Sequence, residues 1–338
     1  MKGLVYMGPE DLRLMDRMEP KLADNQVLLR VKYCGICGSD MTMYAGKHTR
    51  LQPDTVLGHE FVGEVVEIRT DKQSDLKIGD YVAVEPIIHC HQCFYCKSGR
   101  YNLCHHRGVY GCDVDGGFAE LVQAPLDKII KLPKSGELKK MALIEPLAVA
   151  VSVANKCQFR VGDTVVVLGG GTIGLLVAQV MEHSAAGNVI VSEIDPYRLQ
   201  KARALGLNAV NPNQEDLESR VKELKKDGAD VVIDSVGHAE AIKTAFELVR
   251  RGGLINIVAL YHGKVPVDLL QLVYSEIDLK GTFIYTYQDF ITAKELLERE
   301  LIAAEALITA VYPLAEAVDV FKKMHYKNEG LKTLIKVF

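Results

Sequence analysis

The chain has 338 residues, 48% hydrophobic and 25% charged, with a formal net charge of -4. That length supplies two domains of ordinary size. The slight acidic excess speaks against a dedicated nucleic-acid binder and against docking on an anionic membrane. The first residues, MKGLVYMGPEDLRLMD, lack the apolar core of a signal peptide, because charges and Gly-Pro interrupt them. No apolar run approaches the roughly 18–20 residues that span a bilayer. These features predict a cytoplasmic protein. In a reducing cytosol its eight cysteines, where clustered, are metal ligands rather than disulfides.

In chain order, residues 1–146 read as mainly β. Val27–Lys32 (VLLRVK), Phe61–Ile68 (FVGEVVEI) and Tyr81–Val84 (YVAV) carry strand patterns between Gly, Pro and Asp breaks. An irregular insert spans 88–112. From 147 to 285 strands alternate with helices. Thr164–Leu168 is an apolar strand, Leu175–His183 a helix and Val189–Ser192 a strand. Arg198–Leu205 is a helix closed by Gly206, and Asp230–Asp234 and Leu254–Leu260 are strands. Apolar strands separated by helices predict an α/β fold with a parallel sheet covered on both faces. From 286 the chain predicts helices at Ile291–Glu300 and Leu314–Met324. A final strand, Lys332–Phe338, is placed to return to the β section.

Within the insert, Cys90, Cys93, Cys96 and Cys104 form C-x2-C-x2-C-x7-C. Four thiolates satisfy a tetrahedral zinc with no open position, the structural kind of site; an iron–sulfur cluster or free thiols are the alternatives. His89, His91, His105 and His106 crowd the same loop. The filled thiolate shell leaves them as exposed loop residues.

A second donor set is dispersed. Cys37 lies in YCGICGSD, His59 and Glu60 in LGHEF, and Glu145 in IEPL. A Cys, a His and a carboxylate match three protein ligands of a catalytic zinc, with a place left for water or substrate. Gly35, Gly38 and Gly58 suit sharp turns around an ion. Spacing does not join such distant residues. A lone Cys is more often a small buried hydrophobe, and a lone Glu more often a solvated surface charge.

Leu168–Gly174, LGGGTIG, contains G-x-G-x-x-G at Gly169, Gly171 and Gly174. The motif follows an apolar strand and opens a helix at Thr172 and Ile173, the context of a dinucleotide loop whose helix N-terminus meets a pyrophosphate. Glu193, some 20 residues on, is placed to accept from the adenosine ribose hydroxyls and to repel a 2′-phosphate, which favours NAD over NADP. Asp195 is a competitor for that role. Arg198, behind the carboxylate, is a further cofactor contact.

Together these motifs resemble the zinc-containing medium-chain dehydrogenases. CGICGSD, GHEFVGEV, the four-Cys insert, DGGFAE, IEPLAVAV and LGGGTIG occur in that family's order along nearly the whole chain. Glu145-Pro146 points to the polyol branch, similar to sorbitol, galactitol-phosphate, butanediol and threonine dehydrogenases. The resemblance implies a GroES-like catalytic domain from 1–146 and 286–338, around a Rossmann domain from 147–285, with the active site in the cleft between them. It implies two zinc ions per chain. The catalytic ion would sit on Cys37, His59 and Glu60, with Glu145 as fourth or exchangeable ligand. Ser39 matches the hydroxyl that relays the substrate proton. Where many relatives carry a relay histidine this chain has Thr42, so the proton leaves through Thr42, through water or through His48. Tyr44, His48, Phe118 and Glu145 are expected to line the substrate pocket, and Lys47 and Arg50 to lie near it or in solvent. Homodimers or homotetramers formed through the Rossmann domain are common in the family.

The function implied is NAD-linked oxidation of a secondary hydroxyl of a polyol, cyclitol or sugar-derived alcohol. A threonine- or butanediol-type dehydrogenase is the near alternative. An NADPH-linked aldehyde, ketone or quinone reductase is opposed by Glu193, and a non-catalytic NAD-binding protein by the complete ligand set. A zinc-ribbon nucleic-acid binder is opposed by the net charge.

Overall fold

The run TVVVL at Thr164–Leu168 is buried at every position, and so is ADVVID at Ala229–Asp234. Strands that are apolar on both sides need cover on both faces, which crossover helices supply to a parallel sheet. The computed structural model, which describes residues 1–134, 137–184, 186–327 and 330–338, shows that sheet. Six strands run parallel in the spatial order Asn208–Val210, Asn188–Ser192, Thr164–Leu168, Ala229–Asp234, Val249–Ile257 and Asp278–Gly281. Numbered along the chain this is 3-2-1-4-5-6, the Rossmann order, which reverses beside Thr164–Leu168. The connecting helices start where the sequence offers a cap. The Asp195 side chain accepts from Arg198 N with Pro196 in the first turn, and Asp216 and Asp268 cap the helices Leu217–Leu224 and Leu269–Tyr274.

The chain divides into two compact units. One comprises Met1–Glu145, Thr286–Arg299 and Ala304–Phe338, the other Pro146–Tyr285 and Glu300–Ala303. In the first unit, the central strand Gln26–Ile36 pairs with Glu60–Arg69 on one side and with both Leu121–Pro125 and Lys332–Lys336 elsewhere along its length. The carboxyl-terminal strand is therefore part of the amino-terminal sheet, antiparallel to residues 33–36. The whole of that strand except Lys336 is buried, Lys332 included. The side chains of Leu4, Leu29 and Val31, with the rings of Tyr44, Phe61, Phe118 and Phe321, form the core of this unit.

Several element boundaries differ from the sequence pattern; the helices expected at Leu175–His183 and Ile291–Glu300 run over Thr172–Glu182 and Tyr287–Glu298. The strand expected at 254–260 runs from Val249 to Ile257. It stops there because Val258 N and Ala259 N both turn back to donate to the Asp234 carbonyl, at 3.0 and 3.1 Å. The helix expected at Leu314–Met324 begins with a 3-10 turn at Leu314–Glu316 after Pro313, and is α-helical from Ala317 to Tyr326.

Candidate metal centre and dinucleotide loop

Cys37 caps the short helix Gly38–Tyr44 at the end of the central strand, and its backbone N–H donates to Asp40 Oδ2 at 2.8 Å. His59 and Glu60 enter the neighbouring strand, where Glu60 stands opposite Gly35 in register. Strand pairing thus brings residues some 20 positions apart to one place. A Cys37 Sγ, a His59 ring nitrogen and a Glu60 oxygen all lie within 4.8 Å of one another. One soft, one borderline and one hard donor suit zinc, and three protein donors leave a position open. The donor chemistry therefore fits the ion that the sequence implies.

Gly35 has a role other than a turn. Its backbone is extended, but a Cβ there would fall 2.0 Å from Glu60 Oε2. The absent side chain is the space the carboxylate occupies. Gly58 does sit in the left-handed region, at φ +98°, as a sharp entry to His59 requires.

Two residues outside the expected set hold the donors. Asp40, fully buried, places Oδ1 3.5 Å from His59 Nδ1, and that oxygen has no hydrogen-bond partner among the described residues. Such a carboxylate behind Nδ1 leaves Nε2 as the ligating nitrogen. Burial opposes a charge on the imidazole, yet the charge and hydrogen bonding of Asp40 and Cys37 together outweigh it and raise the His59 pKa well above its usual value. Lys332, from the carboxyl-terminal strand, donates to both Glu60 oxygens at 2.7 Å and to the Ile36 carbonyl at 3.1 Å. The pair is buried, and burial alone would lower the lysine pKa. Glu60, Cys37 and Glu145 together raise it. Asp40 was legible only as a polar residue inside CGICGSD. Lys332 was legible only as a charge in an otherwise apolar strand.

The remaining expected residues are placed as follows. Ser39 Oγ lies 3.4 Å from His59 Nε2. Glu145 sits in the first turn of the helix Ile144–Cys157, outside the group of three donors but near enough to act on Lys332. Thr42 donates its hydroxyl to the Gly38 carbonyl at 3.2 Å. Tyr44 and Phe118 are both buried, and both set their rings edge-on against Phe321. His48 is half-buried, with Nδ1 3.5 Å from Cys112 Sγ. Arg50 donates to the Arg107 carbonyl and pairs with Asp113 at 3.2 Å, while Lys47 is exposed.

In the insert, the sulfur of Cys96 lies 3.5 Å from Cys93 and 3.9 Å from Cys90, and that of Cys104 lies 3.5 Å from Cys90 and 3.9 Å from Cys93. A tetrahedron with Zn–S of about 2.3 Å has edges of about 3.8 Å. The cage is thus of zinc size. Backbone N–H groups point at these sulfurs and hold the Cys93 thiol down to about 6. His91, His105 and His106 are exposed, but His89 is not a free loop residue. It stacks on Tyr101 at 4.3 Å and lies 3.3 Å from the buried Lys128, whose other partner is Glu85. That partial burial and the lysine charge lower its pKa to about 4.

In the second unit the glycine loop follows Thr164–Leu168 and opens the helix Thr172–Glu182. A Cβ on Gly174 would sit 1.9 Å from the Gly169 carbonyl oxygen, so only glycine lets helix and strand meet there. Around Gly171 there is open space, as close approach of a pyrophosphate requires. Thr172 and Ile173, in the first turn, are partly accessible. Glu193 accepts from Gly170 N through Oε2 and from Asp195 N through Oε1, at 2.7 and 2.8 Å. The carboxylate is thereby aimed at the loop with acceptor sites to spare. Asp195 is engaged in capping its helix through Arg198 N.

Two family models match the chain: an alcohol dehydrogenase GroES-like domain over residues 23–134 and a zinc-binding dehydrogenase over 172–299. Sorbitol dehydrogenase of Bacillus subtilis is 32% identical, covering 99% of this chain and 97% of the relative. L-galactonate-5-dehydrogenase of Escherichia coli is 32% identical, covering 98% and 97%. Among solved structures, an Escherichia coli alcohol dehydrogenase in complex with NADH shares 28% identity at TM-score 0.92, covering 100% of this chain and 99% of the other. A zinc-binding dehydrogenase of Sinorhizobium meliloti bound to NADP shares 29% at TM-score 0.92, covering 99% of each.

Proposed function

The chain belongs to the zinc-binding alcohol dehydrogenases with a GroES-like domain, and on that premise we propose that it oxidises a secondary hydroxyl of a polyol, cyclitol or sugar-derived alcohol, reversibly, with NAD, giving a ketone, NADH and a proton. The observation that carries this reading is the convergence of Cys37, His59 and Glu60 into one three-donor group. The relatives named for sorbitol and galactonate supply the substrate class.

When bound, zinc supplies polarisation of the substrate oxygen and the dinucleotide supplies the hydride acceptor. The protein does the rest. Asp40 orients His59, Gly35 leaves room for Glu60, and Glu145 stands by as fourth or exchangeable ligand. Ser39 is assigned the substrate's hydroxyl proton, since its Oγ lies 3.4 Å from His59 Nε2. Thr42 has its own proton on Gly38 and His48 is turned onto Cys112, so neither competes for that first transfer. Glu193 favours NAD. Fixed in place by two backbone N–H groups, its carboxylate is set to repel a 2′-phosphate.

The test is a rate screen over polyols, cyclitols, sugar acids and threonine, run with NAD and with NADP, each with a chelator control. Turnover on a polyol or sugar-derived alcohol is expected, lost with the chelator. The kcat/KM with NAD should exceed that with NADP by about a hundredfold, or roughly 2.7 kcal/mol. Turnover confined to simple aldehydes with NADPH would refute the reading.

A second copy of the chain is the partner we assign to the second unit. The helix Leu269–Tyr274 buries none of its residues; Val273 is 67% and Tyr274 77% exposed. Beside it, the edge strand Asp278–Gly281 has a partner strand on one side only, among the described residues. An apolar helix beside an open sheet edge is a surface that proteins cover, most often by two-fold self-association. Light scattering should give at least twice the chain mass, and Val273→Glu should lower it to one chain. A wild-type monomer at micromolar concentration would refute this assignment. We place the protein in the cytoplasm, where cysteines such as these stay reduced as unpaired thiols. No described helix is long and apolar enough to cross a membrane.

A further inference from the structure

Three loops meet at the carboxyl edge of the parallel sheet: the glycine loop after Leu168, the turn after Asp234 and the segment after Ile257. The residue that joins them is Asp234, which is fully buried. Its Oδ1 accepts from Val236 N and Gly237 N at 2.8 and 3.1 Å. Its carbonyl accepts from Val258 N and Ala259 N. Its Oδ2 accepts from the Tyr261 hydroxyl at 2.5 Å. The neighbouring Ser235 Oγ donates to the Leu168 carbonyl at 2.7 Å and reaches the Gly169 carbonyl at 3.3 Å. At Gly237, φ +87°, a Cβ would lie 2.9 Å from Ala259 Cβ, so the second and third loops touch.

Ser235 thus ties the turn to the glycine loop, and Asp234 ties it to the third segment. Among the described residues, main-chain bonds hold that segment as far as Ala259. Beyond it, Tyr261, Val265 and Val267 pack on the core of the unit, and Tyr261 also ties the segment to Asp234 through its hydroxyl. Two apolar side chains ride on these loops into solvent, Val236 at 41% and Leu260 at 66% exposure. They stand at the edge of an open parallel sheet where ligands bind, next to the order reversal.

Resting on the reading that this unit takes a dinucleotide, we propose that Tyr261 is a positioning residue for the cofactor: by donating to Asp234 it holds the segment after Ile257, and with it Leu260, beside the glycine loop, and so sets dinucleotide affinity rather than the chemical step. A hydrogen bond to a buried carboxylate is among the stronger kinds, and its loss leaves Oδ2 without that donor. The ring itself is not needed for this role, only the hydroxyl.

Tyr261→Phe keeps the ring and removes the donor. On the full chain, NADH titration by fluorescence should give a Kd raised about tenfold, and the KM for the dinucleotide should rise with it. The kcat at saturating dinucleotide should stay within about twofold of wild type, because the donors around Cys37 are untouched. Hydrogen exchange at Val258 and Ala259 should quicken. An unchanged Kd overturns the proposal, and so does a fall in kcat with Kd unaltered. Unchanged exchange at Val258 and Ala259 overturns it as well. If the wild-type protein binds neither NADH nor NADPH, the dinucleotide reading itself has failed, and the proposal falls with it.

Discussion

Cys37→Ala is expected to reduce turnover by about three orders of magnitude or more while the fold and NADH binding remain intact. The thiolate is the softest of the three donors that converge at this centre. Without it His59 and Glu60 remain, and the latter is already engaged by Lys332 on both oxygens. Metal analysis should therefore show two zinc ions per chain in the wild type and one in the variant, the survivor being the ion of the four-cysteine cage. A rate loss of that size corresponds to about 4 kcal/mol of transition-state stabilisation, within what a Lewis acid contributes. The dinucleotide loop belongs to the other compact unit, so a titration with NADH should give the wild-type Kd. A variant that retains both its second zinc and its rate would remove Cys37 from the site.

Lys332→Met should be the most destabilising single change near the centre. The ammonium and the Glu60 carboxylate are both buried, and removing one partner leaves the other as an uncompensated charge. Breaking a buried pair in this way costs about 3–5 kcal/mol. The measurement is urea unfolding with a chelator present, compared with the wild type under the same condition. Zinc should then restore more stability to the variant than it adds to the wild type. In the variant the ion has no ammonium to compete with for Glu60. A loss below about 1 kcal/mol, or equal gains from zinc, would mean that Glu60 does not depend on this lysine.

Lys332 also shows where sequence reading ends. The pattern of its strand predicts a return to the β section, but not the register against residues 33–36. In a strand, a one-residue slip turns every side chain to the opposite face. Only the observed pairing delivers the lysine to a glutamate 272 positions away. Gly35 is a similar case. Its need for glycine comes from the Glu60 carboxylate across the sheet, not from a local turn. The rings of Tyr44 and Phe118, which the sequence alone does not place, lie in the core of their unit. Whether an aromatic ring faces a cavity or another ring depends on what is packed opposite, here Phe321.

What the residues determined by themselves was local chemistry. The four closely spaced cysteines, the glycine loop between strand and helix, the carboxylate after the second strand and the alternation of apolar strands with helices are all short-range patterns. Backbone geometry gives each of them nearly one solution. The tertiary structure decided everything that depends on distant partners. It brought Cys37 to His59 and Glu60 and placed Asp40 behind the imidazole. It set Lys332 on the glutamate, and it joined Tyr261 to Asp234. Those contacts arise from strand register and loop closure, which no spacing along the chain encodes.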